Sequence, residues 1–268
     1  MINPIVETYS QLAEKYDDDL NQNSCWGRAS QKILGSLVIE HEDHVVLDMG
    51  CGTGRALLQL AGDRRPDVQF IGIDPAANMC KCATRSVQHC GNARILEGCF
   101  EQIPVASGSI DYLYSIFAFH WVTDLDAAVK EIRRVLKPNG RMDLFFIGRN
   151  NGNEFIRKTT PIFLKHMGPA LLADSVRMRK QLTREEAQLL FAKTFDRQYL
   201  TTEESYETYY DSLEGHWGWW VRIEGQLVSI PPNKRAACDR EVQRALAGLV
   251  EEKGIPYTIH CLHVKLRS

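Results

Sequence analysis

Long apolar runs are missing from this 268-residue chain. No stretch approaches the roughly 20 residues that a membrane-spanning helix needs. The start, Met1-Ile-Asn-Pro-Ile-Val-Glu-Thr-Tyr, has neither a basic n-region nor an apolar h-region, so the cytoplasm is the expected compartment. Net charge is scarce too. At −2 it gives no general attraction to nucleic acid or to an anionic membrane, and neither is expected as a partner. The eight cysteines lack metal-site spacing. Cys80 and Cys82 form C-x-C on a predicted helix, where residues two apart do not face each other. Cys25, Cys51, Cys90, Cys99, Cys238 and Cys261 are scattered without zinc spacing, so reduced thiols and no metal are expected. Repeats and low-complexity tracts are absent. What remains is an ordinary composition, 44% hydrophobic and 25% charged, sufficient for one large domain or a domain with an inserted lobe.

The informative stretch is Val45–Gly54, Val-Val-Leu-Asp-Met-Gly-Cys-Gly-Thr-Gly. It opens as a buried strand, passes through a glycine-dense turn and leads into the helical run Arg55-Ala-Leu-Leu-Gln-Leu-Ala. Gly50, Gly52 and Gly54 lack a Cβ, so a ligand can lie directly on the backbone. Two phosphate-binding readings fail. A dinucleotide fingerprint needs glycine at the sixth position from Gly50, where Arg55 stands, and a Walker A loop needs a Lys-Ser/Thr pair that is absent. Asp48 at the strand end would repel a diphosphate and suit a cation. A second strand, Val68–Asp74, ends in an acid about 20 residues beyond the loop, where a carboxylate can bond a ribose hydroxyl. Asp74-Pro75 can equally start the helix Ala76–Val87. Met79, one turn in, reads either as an adenine contact or as core.

Asp48-Met-Gly-Cys-Gly-Thr-Gly closely resembles motif I of the class I S-adenosylmethionine-dependent methyltransferases, here of the small-molecule type. Three further elements follow in order. Asp74 stands where the family holds both ribose hydroxyls. Gly98-Cys99-Phe100-Glu-Gln-Ile-Pro resembles a third element that usually carries Asp where this chain has Cys99. Leu136-Lys-Pro-Asn-Gly140 resembles the family turn before strand five. The resemblance implies S-adenosylmethionine as cofactor and S-adenosylhomocysteine as its product. It implies cofactor contacts at Asp48, Gly50, Cys51, Gly52, Asp74, Pro75, Met79, Cys99, Phe100 and Ser115. The leading segment of the family often closes the site, which makes Tyr9, Tyr16 and Trp26 lid candidates, Tyr16 toward cofactor and Tyr9 toward substrate. A thiol accepts hydrogen bonds poorly, so Cys99 shifts adenine recognition toward the backbone near Phe100 and apolar packing.

These readings give an α/β fold: a Rossmann-like, seven-stranded, mostly parallel sheet with helices on both faces, an antiparallel last strand and a helical cap insertion. The expected parts are a helical lid (1–40), a cofactor-binding core (41–148), an inserted cap (149–182) and the remaining core (183–268). Within them, Thr183 is an expected N-cap, 198–210 strand six and 257–267 the closing strand. His120, beside Trp121 at the mouth of strand four, is the candidate base; a structural histidine is the other reading. Trp121 and Trp217 are candidate substrate contacts, the latter within His216-Trp-Gly-Trp-Trp220. Arg149 and Arg222 are candidate anchors for an acid. The expected activity is methyl transfer to O or N of a small molecule, by a monomer or homodimer. Cyclisation or decarboxylation on the same cofactor, and a non-catalytic partner subunit, are the alternatives. Arg55 disfavours a dehydrogenase.

Overall fold

The computed structural model describes residues 4–17, 19–61, 66–222, 225, 228 and 230–267. Helices α1 (Pro4–Leu12), α2 (Asp19–Gln22) and α3 (Cys25–Leu34) come first. Alternation follows: β1 (Val45–Met49), α4 (Arg55–Ala61), β2 (Gln69–Asp74), α5 (Ala77–Ser86), β3 (Ala93–Glu97), β4 (Ile110–Ile116), α6 (Leu125–Val135) and β5 (Leu136–Ile147). The chain closes with α7 (Asn153–Arg177), α8 (Arg184–Phe191), β6 (Leu200–Asp211), α9 (Leu213–Arg222), α10 (Pro232–Ala247) and β7 (Ile255–Leu266).

The seven strands form one sheet in the order β3-β2-β1-β4-β5-β7-β6. β1 through β5 pair in parallel, and β7 runs antiparallel between β5 and β6. Strand side chains alternate between two covered faces, as the near-continuous apolar strands require. Leu47, Met49, Ile71, Ile73 and Leu113 pack under α6 and α8. Val46, Phe70, Tyr112 and Tyr114 pack against Leu57 and Ala61 of α4. Strand order reverses at β1, flanked by β2 on one side and β4 on the other, so a crevice opens beyond its C-terminal end.

Local chemistry sets the boundaries. Asp124 caps α6 by accepting from Ala127 N–H at 3.0 Å. Thr183 and Glu186 close a reciprocal capping box on α8. Gly168, at φ +78°, kinks α7 just before Pro169. The Lys137–Gly140 turn departs from expectation. It lies within β5 as an irregularity in the ladder, between the pairs Ile110–Leu136 and Tyr112–Arg141. The segment of the expected cap (149–182) packs with later helices. Phe155, Phe163 and Met167 of α7 share one core with Trp219 and Trp220 of α9 and with Cys238, Val242 and Leu246 of α10. Burying α7's apolar face takes the late helices as well, so the helical lobe is assembled from both segments.

A buried ion pair ties the approach to β1 to the start of β5's paired run. Arg141 and Asp43, 8% and 4% exposed, are hydrogen-bonded, and the guanidinium lies 3.7 Å from the Tyr112 ring centroid. Removing one partner strands the other charge. Arg141→Met is expected to cost about 3–5 kcal/mol in urea unfolding. A cost under about 1 kcal/mol would show that Asp43 does not depend on it.

Candidate active site

The glycine loop leaves β1 with three left-handed residues in alternation, Gly50 (φ +77°), Gly52 (+54°) and Gly54 (+80°). Gly50 N–H and Cys51 N–H both donate to Ile73 C=O, at 2.8 and 3.0 Å, which clamps the turn to β2. A Cβ on Gly52 would meet nothing within 4 Å. That residue faces a cavity of about 530 Å³ over the ends of β1, β2 and β4.

One end of the cavity is suited to an adenosine. Asp74, 8% exposed, accepts from Gly52 N–H on Oδ2 and from Ala76 N–H on Oδ1, each at 2.9 Å. Each oxygen keeps acceptor capacity, enough for the two hydroxyls of a ribose. Burial holds this carboxyl above its usual pKa, and the two backbone donors oppose the rise. Pro75, Met79, Cys99 and Phe100 line the same end. The N-terminal segment crosses over it. Tyr16 and Tyr9 meet edge to face at 5.9 Å, and Tyr9 meets Trp121 at 6.3 Å. Asn78 Nδ2 donates to Ser10 C=O at 3.1 Å, Arg85 pairs with Glu14 at 2.6 Å, and Arg28 pairs with Asp211 at 2.7 Å, so the segment is fastened at both ends.

The other end is built from the mouths of β4, β5 and β7. His120 is buried, and its Nδ1 accepts from Ile147 N–H at 3.5 Å, which assigns the ring proton to Nε2. Burial, then the nearby Arg179 charge, pulls its pKa down to about 3. Arg179 arrives from the segment after α7, pinned where Lys180 N–H donates to His120 C=O at 2.8 Å and Arg149 N–H to Leu182 C=O at 3.0 Å. Its guanidinium lies 5.3 Å from the Trp121 ring centroid. Gln181, Asn151, Trp219 and Tyr257 complete this end. Glu101, also on the wall, is buried enough to raise its pKa, yet hydrogen bonds from Thr123 and Asp124 hold it below the usual value.

Of the residues singled out from sequence, Tyr9, Tyr16, Gly50, Gly52, Asp74, Pro75, Met79, Cys99, Phe100, His120 and Trp121 line one cavity. Others are not on its wall. Asp48 is 3% exposed beneath the loop, with Oδ2 making no hydrogen bond, so it can act on a ligand only through its field or a bridging water. The Cys51 thiol turns toward Gly72 in the neighbouring strand. Ser115 is fully buried in β4 with an unpartnered hydroxyl. Trp217 packs on the helical core, and Trp219 takes the cavity position; His216, Trp219 and Trp220 share the inward face at helical spacing. Arg149 pairs with Glu186 on the surface at 2.6 Å, and the Arg222 side chain lies outside the described residues. Arg179, Gln181, Asn151 and Tyr257 were not singled out. Their positions depend on contacts between segments far apart in the chain.

Open space at Gly52, a poised Asp74 and an orphaned carboxylate oxygen at Asp48 together fit a ribose-bearing cation. Burial raises the Asp48 carboxyl to about 7. The neutral form therefore contributes stability fully below the unfolded value near 4, and that contribution is lost as pH rises through about 7. The Tm of the ligand-free protein should fall between about pH 4 and 7, and a cationic adenosyl ligand should bind more tightly over the same interval. Asp48→Asn should flatten both profiles. Profiles parallel to wild type would show that Asp48 does not titrate there.

Residues 47–143 match the family model described as a methyltransferase domain. Similar curated proteins include malonyl-(acyl-carrier protein) O-methyltransferases. The one from Methylovorus sp. is 43% identical over 109 residues, covering 38% of this chain and 36% of the relative. The one from Yersinia pestis is 36% identical over 138 residues, covering 51% and 47%. The chain thus spans half or less of the length of these two relatives. Among solved structures, the YcgJ protein of Bacillus subtilis superposes with a TM-score of 0.59 at 19% identity, covering 90% of this chain and 99% of that one, a likeness of fold. Among the described residues, no helix is long and apolar enough to cross a membrane, and no cluster of His, Cys, Asp or Glu could hold a metal ion. The chain carries a methyltransferase domain over residues 47–143, and its glycine loop, the acid ending β2 and the sheet order with its reversed β7 are those expected of a class I S-adenosylmethionine-dependent methyltransferase.

Proposed function

We propose that the protein transfers the methyl group of S-adenosylmethionine to a carboxylate oxygen of a small, largely apolar acid. One observation carries this reading: the acceptor end offers a cation and donors but no effective base. His120, with its pKa near 3, accepts a proton too weakly to activate an alcohol or an ammonium. Tyr16, raised to about 12 by burial, keeps its proton. Asp74 lies at the far end, and Glu101 is held by Thr123 and Asp124. An acceptor used here must bring its own negative charge. A carboxylate does so at neutral pH.

S-adenosylmethionine, when bound, supplies a methyl group on a sulfonium centre. Asp74 would hold the ribose, the Gly50–Gly52 backbone would carry the amino-acid part, and Met79 and Phe100 would pack the adenine. Arg179 and the Nε2–H of His120 would orient the acceptor carboxylate, so His120 serves as a donor rather than a base. Orientation of two bound reactants is worth up to about 7–11 kcal/mol, and Trp121, Tyr9 and Tyr16 exclude the water that would compete. The curated relatives named as O-methyltransferases of a malonyl carrier protein support oxygen as the acceptor atom. A free acid is favoured by the apolar wall of Ile5, Val6, Trp26, Phe117 and Trp219.

The test is a methyl-transfer mass screen of carboxylic acids, their carrier-linked forms and matched amines. The expected product gains one methyl and loses it in mild alkali, as an ester does. Arg179→Gln should lower kcat/KM for the acid by about 10- to 100-fold, the scale of one charge-assisted contact. Alkali-stable methylation of amines would overturn the reading. Turnover of the carrier-linked acid alone would move the acceptor to a carrier. A product without an added methyl would favour cyclisation or decarboxylation, and no turnover a partner-subunit role.

A further inference from the structure

The cavity end remote from Asp74 is closed by four rings from four separated segments: Trp26 of α3, Phe117 after β4, Trp219 of α9 and Tyr257 of β7. Trp26 lies at their centre. It meets Phe117 at 5.7 Å and 85°, Tyr257 at 5.5 Å and 63°, and Trp219 at 5.9 Å and 34°. Trp219 and Tyr257 meet at 5.8 Å and 68°. These are separations of rings in direct edge or tilted contact. An ammonium cage needs open room between ring faces, with the cation within about 6 Å of each centroid. Rings already touching one another leave no such room. They form a continuous apolar wall.

The wall is held in place against backbone strain and close packing. Phe117 is the non-glycine residue at positive φ among the described residues, at +55°, a conformation disfavoured for any side chain with a Cβ. Its N–H donates to Phe145 C=O at 2.8 Å, which fixes the residue to β5. Tyr257 occupies the space of a Cβ on Gly152, which would stand 2.5 Å from the ring carbon Cζ. Its hydroxyl accepts from Asn151 Nδ2 at 3.0 Å. Strain retained beside a cavity points to a task for the side chain beyond filling space.

We propose that the wall of Trp26, Phe117, Trp219 and Tyr257 sets acceptor specificity, selecting acids whose hydrocarbon body is planar or unsaturated and can lie against aromatic rings. The proposal rests on the carboxylate reading and adds the class of acid. Saturated chains gain only buried area on such a wall, whereas planar bodies also gain directional ring contacts.

The experiment compares kcat/KM for an aryl or conjugated acid with that for a saturated acid of equal carbon number. Wild type should prefer the planar acid by roughly tenfold, the scale of one or two ring contacts. Trp219→Leu and Phe117→Leu should each bring the ratio close to one, through KM of the planar acid rather than kcat. Calorimetric affinity for S-adenosylhomocysteine should stay at the wild-type value and certify the fold of each variant. A ratio unchanged in both variants would overturn the proposal. A binding arm separates this from the carboxylate reading: the unreactive methyl ester of the planar acid, titrated by tryptophan fluorescence with S-adenosylhomocysteine present. Trp219→Leu should weaken that binding about fivefold or more. Equal affinity would overturn the wall, whatever acids are methylated; absent acid turnover with wild-type preference for the planar ester would overturn only the carboxylate reading.

Discussion

Gly50 and Ala118 approach so closely that a Cβ on the glycine would stand 2.2 Å from the alanine Cβ. This contact joins two loops with different tasks. The glycine turn lines the cavity through Gly50 and Gly52, the proposed cofactor side, and the segment Phe117–Trp121 lines the proposed acceptor side. Sheet order makes the approach available, because β1 lies directly between β2 and β4. Only a residue without a Cβ, and one at ease at φ +77°, can stand there. The two loops are thereby held on adjacent strand ends, the arrangement that the proposed in-line displacement would need. The rest of the molecule surrounds that juncture: lid segment over it, helical lobe beside it, β7 behind.

Electrostatics divide the site in the same way. Two buried carboxyls, Asp48 and Asp74, lie at or beneath the cofactor end, both held above their usual pKa chiefly by burial. Arg179 and a neutral His120 lie at the acceptor end. The proposed pair of a cationic donor and an anionic acceptor matches that polarity, and its reaction would neutralise both charges. Low dielectric strengthens such complementarity, and burial also lowers the His120 pKa. The histidine that the sequence offers as a candidate base is held neutral by its surroundings.

How much was legible in the chain follows from the range of each interaction. The glycine loop, the acid ending β2, the Thr183 cap and the break near Gly168–Pro169 are local, and a reader of residues can place them. The sheet with its reversed β7 followed from the alternation and the two late strands. The cap was delimited from local sequence, whereas the packing of α7 on α9 and α10 depends on residues far along the chain, Lys165 bonding Glu241 76 residues on. Arg179 was invisible for a related reason: two backbone hydrogen bonds to distant carbonyl and amide groups bring it in. Trp219 could have been found. Helical phase groups it with His216 and Trp220 on the inward face and leaves Trp217 off it. Asp48 and Ser115 were chosen by residue type and strand position, but both are buried and neither is on the cavity wall.

The measurement closest to the centre of this account is calorimetric titration of the wild-type protein with S-adenosylmethionine, S-adenosylhomocysteine and NAD, beside Asp74→Ala. The account requires both adenosyl ligands to bind at one site per chain, NAD to give no heat, and the substitution to weaken the adenosyl affinities at least tenfold, about 1.4 kcal/mol. Folded protein that binds neither adenosyl ligand, or binds them equally well without the Asp74 carboxylate, would contradict it.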